Sequence, residues 1–131
     1  MEEKKLQFFR YWLMFLSVSV NAANTYVLVS FSMPEKLLKA TLLDCEKHEI
    51  PAVINGLYQD SMPRTLDKIG YFASLAPKLS MLIDPRVFER YQVTQVPALI
   101  VEQKACTDIV YGNLSLDLML EKIKSHGGCH A

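Results

Sequence analysis

Short unbroken apolar runs alternate along this chain with longer stretches in which apolar residues recur every three or four positions, the pattern of buried strands separated by amphipathic helices. Residues 26–32, Tyr-Val-Leu-Val-Ser-Phe-Ser, read as a first strand covered on both faces, because no polar residue alternates with its Val and Leu. Residues 34–48 read as a helix with Leu37, Leu38, Thr41, Leu42 and Cys45 on one face and Lys36, Lys39, Glu46 and Lys47 on the other. Pro51 follows its end, and residues 52–57 form a second strand reached by a short loop, as a parallel βαβ unit requires.

A second helix is expected over residues 64–76, through Leu66, Ile69, Phe72 and Leu75, started by Asp60 or Ser61 with Pro63 in its first turn and stopped by Pro77. Met81-Leu82-Ile83 is a short strand, and Asp84 caps a brief helix over 86–91 that turns Val87 and Phe88 inward. Residues 98–102 and 106–111 pair as a hairpin, and Ser115 caps a terminal helix through Leu116, Met119, Leu120 and Ile123. The order β-α-β-α-(short β-α)-β-β-α, a parallel unit followed by an antiparallel hairpin and a helix, is thioredoxin-like. It predicts an α/β fold with a mixed sheet and helices on both faces.

The amino-terminal segment has a different character. Lys4, Lys5 and Arg10 precede the apolar run from Tyr11 to Val20, and Val20-Asn21-Ala22 is a small-residue cleavage pattern, so residues 1–22 read as an export signal. The alternative is an uncleaved anchor, which the run is short to provide because spanning a bilayer takes about 20 apolar residues. Residues 23–131 then form one domain, with no room in 131 residues for a second and no stable membrane span after cleavage. Cleavage removes three of the 14 basic and two of the 14 acidic residues, leaving a net charge of −1. With no basic patch interleaved with aromatics, direct nucleic-acid binding is not expected.

All three cysteines fall in the exported part, where a disulfide persists, and the odd number leaves at least one unpaired within a monomer. Cys45, at helical spacing with Leu38, Thr41 and Leu42, reads as a small buried core residue. Cys106 and Cys129 are the candidate disulfide, tying the tail to the hairpin, with intermolecular pairing through Cys129 left open.

The junction of the first strand and helix is where thioredoxin-like redox proteins keep a Cys-x-x-Cys pair, and this chain has no cysteine there. Instead Ser32 and Glu35 have the spacing of a capping box, so a structural turn is expected. No His or Lys is placed to activate Ser32 as a nucleophile. His48 suits the carboxyl end of its helix. Asp60, Arg64 and Asp67 form a mutually compensating solvated face, and Ser115 in the formal sequon Asn113-Leu114-Ser115 is accounted for as a cap. The His126, Cys129, His130 cluster fits no zinc spacing, and no cofactor or metal is expected. Tyr58, Tyr71, Tyr91 and Tyr111 are candidate exposed aromatics for a protein interface.

Taken in order, Val29-Ser30-Phe31-Ser32-Met33-Pro34, Asn55-Gly56-Leu57, Ile83-Asp84-Pro85-Arg86-Val87-Phe88, Val96-Pro97-Ala98 and Tyr111-Gly112-Asn113-Leu114-Ser115-Leu116 resemble the TrbC proteins of F-type conjugative systems. The resemblance spans residues 26–124. It implies a periplasmic protein of a type IV secretion apparatus, active in pilus assembly for DNA transfer beside other exported transfer proteins, especially a TraW-type partner. With no cysteine pair at the strand–helix junction, the expected role is non-enzymatic and protein-binding, the alternative being a periplasmic thiol-disulfide oxidoreductase or isomerase-like chaperone. The fold places Val96-Pro97 where thioredoxin-like proteins have a cis-proline loop. A cis bond and a binding groove made by Ser32, Met33, Pro34, Glu35, Thr94, Val96 and Pro97 are therefore expected.

Overall fold

In the computed structural model, which describes residues 24–129, the first strand, β1, runs over Asn24–Val29 and is followed by helix α1 over Glu35–Lys47 and strand β2 over Ala52–Ile54. A single 3-10 turn, Tyr58–Asp60, leads to helix α2 at Met62–Leu75, strand β3 at Met81–Ile83 and helix α3 at Pro85–Arg90. The hairpin strands β4 and β5 occupy Ala98–Gln103 and Cys106–Tyr111, and helix α4 spans Leu116–His126. The export segment read over residues 1–22 lies outside the described residues, as does His130.

The five strands are ordered β3-β2-β1-β4-β5. Parallel pairing joins β1 to β2 and β2 to β3, and antiparallel pairing joins β1 to β4 and β4 to β5. β1 is central, which explains its lack of alternation: Val27, Leu28 and Val29 are all fully buried. Val27 and Val29 face one layer with Leu38, Leu42, Cys45, Phe72, Met119 and Ile123, from α1, α2 and α4. Leu28 faces the other with Val53, Phe88, Val93, Ala98 and Ile100, where α3 is the covering helix. Helices therefore do lie on both faces, but unequally. Burying a side chain such as Leu28, Leu42 or Ile100 contributes about 1.5–3 kcal/mol, so these two layers hold the fold.

Three of the boundaries differ most from the sequence reading. The first strand runs over residues 24–29 instead of 26–32, because the chain turns after Val29, with Met33 N–H donating to the Ser30 carbonyl at 3.1 Å. The second strand stops at Ile54 instead of 57, because Asp84 N–H bonds the Ile54 carbonyl at 3.0 Å as the last rung and the chain then turns away through Asn55 and Gly56. The second helix starts at Met62 instead of 64, since Ser61 is its N-cap and accepts from Arg64 N–H at 3.3 Å.

The ends of α1 and α3 share one device. Glu49 and Gln92 both adopt a left-handed φ, 56° and 52°. Ile50 N–H then reaches the Cys45 carbonyl and Val93 N–H the Phe88 carbonyl, each at 3.0 Å, closing both helices in Schellman motifs without glycine.

Candidate binding site

The turn after β1 is held by its own hydrogen bonds. Met33 N–H donates to the Ser30 carbonyl at 3.1 Å, Ser32 N–H donates to Ser30 Oγ at 3.2 Å, and the two serine hydroxyls lie 2.7 Å apart. The expected capping box is not formed. Pro34 takes the N-cap position with φ −52° and ψ 133° and makes no side-chain cap, which leaves Ser32 too far back to reach the first helical amides. Its hydroxyl engages Ser30, and the Glu35 carboxylate turns sideways to accept from Tyr71 Oη at 3.4 Å.

The Val96–Pro97 peptide is cis. Because β1 and β4 pair up to Leu28 with Ala98, residues 30–35 and 94–97 share one end of the sheet. Ser32, Pro34, Glu35 and Thr94 are exposed there, and Val96 is half-buried. Met33 and Pro97 are buried, Met33 within the core layer, with its sulfur accepting from Ser30 N–H. These two residues support the turn from beneath.

The concave surface lies on the other side of the same turn. A cleft of about 510 Å³ opens beyond the carboxyl ends of β1 and β2, lined by Ser30, Ser32, Phe31, Asn55, Gly56 and Gln59 among others. Phe31 forms part of its floor, edge-on to Tyr58 at 5.8 Å and stacked on Phe72 at 6.2 Å. A second cleft of about 430 Å³ continues between α1 and α2, lined by Glu35, Tyr58, Arg64, Asp67, Lys68 and Tyr71. Tyr58 belongs to both, with Lys68 Nζ 5.2 Å from its ring centre. Asp67 and Arg64, read from sequence as a solvated face, thus border a shared concavity that carries both signs of charge.

The wall between the clefts depends on Thr65, which is fully buried. Its hydroxyl donates to the Ser61 carbonyl at 2.6 Å and accepts from Tyr58 N–H at 2.8 Å. That pins residues 58–61 while Gln59 and Asp60 both hold a left-handed φ of 52°, a conformation that disfavours each by roughly 1–2 kcal/mol. Sequence reasoning missed Phe31, Asn55, Gln59 and Thr65 as site-forming residues. The available signal was Asn55-Gly56, a turn dipeptide that was assigned to the strand.

Among the described residues, the histidines and cysteines lie apart from these clefts. Both described histidines lie at the carboxyl ends of helices, His48 after α1 and His126 closing α4, away from Ser30 and Ser32. Cys45 is ten residues along α1 from Glu35, about 15 Å by helical rise. It is fully buried, and that burial, followed by the nearby Asp44 carboxylate, pushes its thiol pKa up to about 12. Cys106 and Cys129 are joined as a disulfide with Cα atoms 5.5 Å apart. Asp108 lies beside them in a grouping of metal-ligating types, but two sulfurs bonded to each other offer no thiolate to an ion.

Comparison with known proteins agrees with this geometry. Residues 27–123 match the family described as type-F conjugative transfer system pilin assembly protein, TrbC. The periplasmic protein TrbC of Escherichia coli strain K12 is 34% identical over 101 residues, covering 77% of this chain and 48% of that one. The chain spans about half the length of this curated relative. Among solved structures, MTB dsbF in its mixed oxidized and reduced forms superimposes with a TM-score of 0.51 at 20% identity, over 76% of this chain and 77% of that one, which shows a thioredoxin-like α/β fold. On the family match and the 34% identical relative together, the chain belongs to the TrbC family of type-F conjugative transfer system pilin assembly proteins.

Proposed function

We propose that this protein is an exported, non-catalytic assembly factor of a conjugative pilus, acting in the periplasm by binding other exported transfer proteins of the type IV secretion apparatus, a TraW-type protein among them. One observation carries the non-catalytic part of the reading. Where a thioredoxin-like redox protein has its cysteine pair, this chain has Ser32-Met33-Pro34-Glu35, and the free thiol found among the described residues, Cys45, is sealed in the core. A thiol that exchanges disulfides needs an accessible thiolate, and burial works against both requirements. What remains at that end of the sheet is shape, aromatic surface and mixed charge, which are properties of a binding surface.

The test is genetic. Deleting the gene from its native transfer locus is expected to abolish pili and transfer, and both the wild-type chain and Cys45→Ala are expected to restore them equally. A Cys45→Ala chain that accumulates normally in the envelope yet restores neither would overturn the non-catalytic reading. Normal piliation in the deletion strain would overturn the assembly role.

A further inference from the structure

β3 is a strand of three apolar residues at the edge of the sheet, and two of its side chains are well exposed. Leu82 is 45% exposed on the α3 side and Ile83 is 38% exposed on the other. Ala52 N–H bonds the Ser80 carbonyl at 2.9 Å and Asp84 N–H bonds the Ile54 carbonyl at 3.0 Å. In a parallel ladder this alternation turns the N–H and C=O of Met81 and Ile83 away from β2, toward the open side. Among the described residues no strand pairs with that side.

Helix α2 is the crossover from β2 to β3, on the face of the sheet that Phe72 covers. It turns Thr65 and Phe72 inward, and the flank carrying Arg64, Lys68 and Tyr71 meets the cleft beside α1. The opposite flank is therefore the one on the β3 side, and it carries Met62, Leu66, Gly70 and Ala73, spaced four, four and three apart. Met62 is 48% and Leu66 56% exposed. Gly70 weakens the helix interior by roughly 1 kcal/mol relative to alanine, yet a Cβ there would meet nothing within 4 Å, so no contact within the described chain requires glycine. The other sheet edge is managed differently: at β5 the tail is tied down by the Cys106–Cys129 bridge and by Gly128 N–H donating to Asp108 Oδ1 at 3.0 Å.

We propose that the open edge of β3 and this flank of α2 form a docking site for an extended, uncharged aliphatic strand of a partner protein, which adds to the sheet beside β3. Hydrogen bonds to Met81 and Ile83 would set its register. Its alternate side chains would pack against Met62 and Leu66 above and Leu82 below. All these side chains are neutral, so an aliphatic strand complements them where a charged one would lose solvation. The size fits a single strand better than a second copy of the chain, because a stable subunit interface takes about 20–30 residues a side and this surface rests on two short segments. The proposal rests on the protein-binding reading above and assigns it a surface.

Amide hydrogen exchange on the full-length chain, expressed for export, tests it with a blocked decapeptide of alternating valine and threonine as the probe. The peptide is expected to slow exchange at Met81 and Ile83 by about tenfold or more, and a version with proline at alternate positions is expected to do nothing. Gly70→Gln, which has open space in the free protein, is expected to keep or raise the melting temperature while weakening the peptide by about fivefold or more. Protection confined to the cleft at residues 30–32 and 54–60, no protection at millimolar peptide, or protection that grows with protein concentration alone would each overturn the proposal. So would full piliation by Gly70→Gln and Leu82→Lys chains in the native host. That last result would leave the assembly role standing, because the gene deletion tests it separately.

Discussion

The carboxylate of Asp44, near the end of α1, accepts a hydrogen bond at 3.1 Å from the backbone N–H of Leu116, the first residue of α4 and 72 positions away. One orphan amide of the terminal helix is thus satisfied from another helix, while Ser115 covers Leu118 N–H at 3.4 Å in the usual way. Asp117 reinforces the junction: it lies 3.5 Å from Lys47 Nζ and 2.9 Å from His48 Nε2, the latter close enough for an ion pair but not aligned as a hydrogen bond. The first βαβ unit and the carboxyl-terminal helix are locked together at this point.

Replacing Asp44 with alanine is therefore expected to cost about 1–2 kcal/mol, the range for losing a charged cap, whereas Asp44→Asn retains an acceptor and costs a few tenths. Urea unfolding of the three proteins measures both. Equal stability of Asp44→Ala and the wild type would show that the interhelical cap contributes nothing.

Glu49 and Gln92 occupy positions where a side chain is disfavoured and glycine is not. Glu49→Gly and Gln92→Gly are each expected to raise stability by about 0.5–1 kcal/mol, the left-handed penalty relieved less the extra freedom of glycine in the unfolded chain. Thermal unfolding decides it, and a loss of stability in both variants would contradict the Schellman assignment.

Thr65→Val keeps the shape of the buried residue and removes its hydroxyl. Two backbone groups, Tyr58 N–H and the Ser61 carbonyl, lose that partner, for an expected loss of about 1–3 kcal/mol. Because residues 58–61 wall the cleft, amide exchange at Tyr58 and Ser61 should quicken more than exchange at Leu28 or Leu99. Uniform quickening would mean that Thr65 serves the core and not the loop.

The Cys45 thiol, with its pKa raised to about 12 from 9.0, holds roughly a thousandfold less thiolate than a free cysteine in mildly alkaline buffer. In the native protein it is expected to resist iodoacetamide at pH 8 and to react promptly once urea unfolds the chain. The linkage runs the same way. Between about pH 9 and 12 the unfolded thiol releases its proton while the folded one keeps it, so this group lowers stability as pH rises through that window and has no effect below it. Rapid native alkylation would contradict its burial.

The element order, the strand pairing and the core positions of α1 were legible because they follow from periodicity: Leu38, Leu42 and Cys45 share a face by spacing alone, and all are buried. The cis bond at Val96–Pro97 followed from topology. Local chemistry was less legible where two short-range rules compete. Ser32 and Glu35 match a capping box in spacing, but Pro34 fixes the backbone of the cap position itself and Ser30 captures the serine hydroxyl. The turn at Gln59 and Asp60 carried no glycine to announce its left-handed backbone, and it exists because Thr65, six and five residues further on, holds it. A cleft beyond β1 and β2 lies on the other side of the turn from the groove expected between β1 and β4, and it was not legible because the packing of Phe31 and Met33 could not be inferred from order along the chain.

The central claim, binding without thiol chemistry, is tested most directly by purifying the protein from the envelope of cells carrying its native transfer locus and identifying, by mass spectrometry, both its bound partners and the state of its three cysteines. The predicted result is recovery of exported transfer proteins, a TraW-type protein among them, held without covalent bonds, with Cys106 joined to Cys129 and Cys45 free. Recovery of assorted exported proteins trapped as mixed disulfides on Cys45 or Cys106 would contradict it and identify an oxidoreductase.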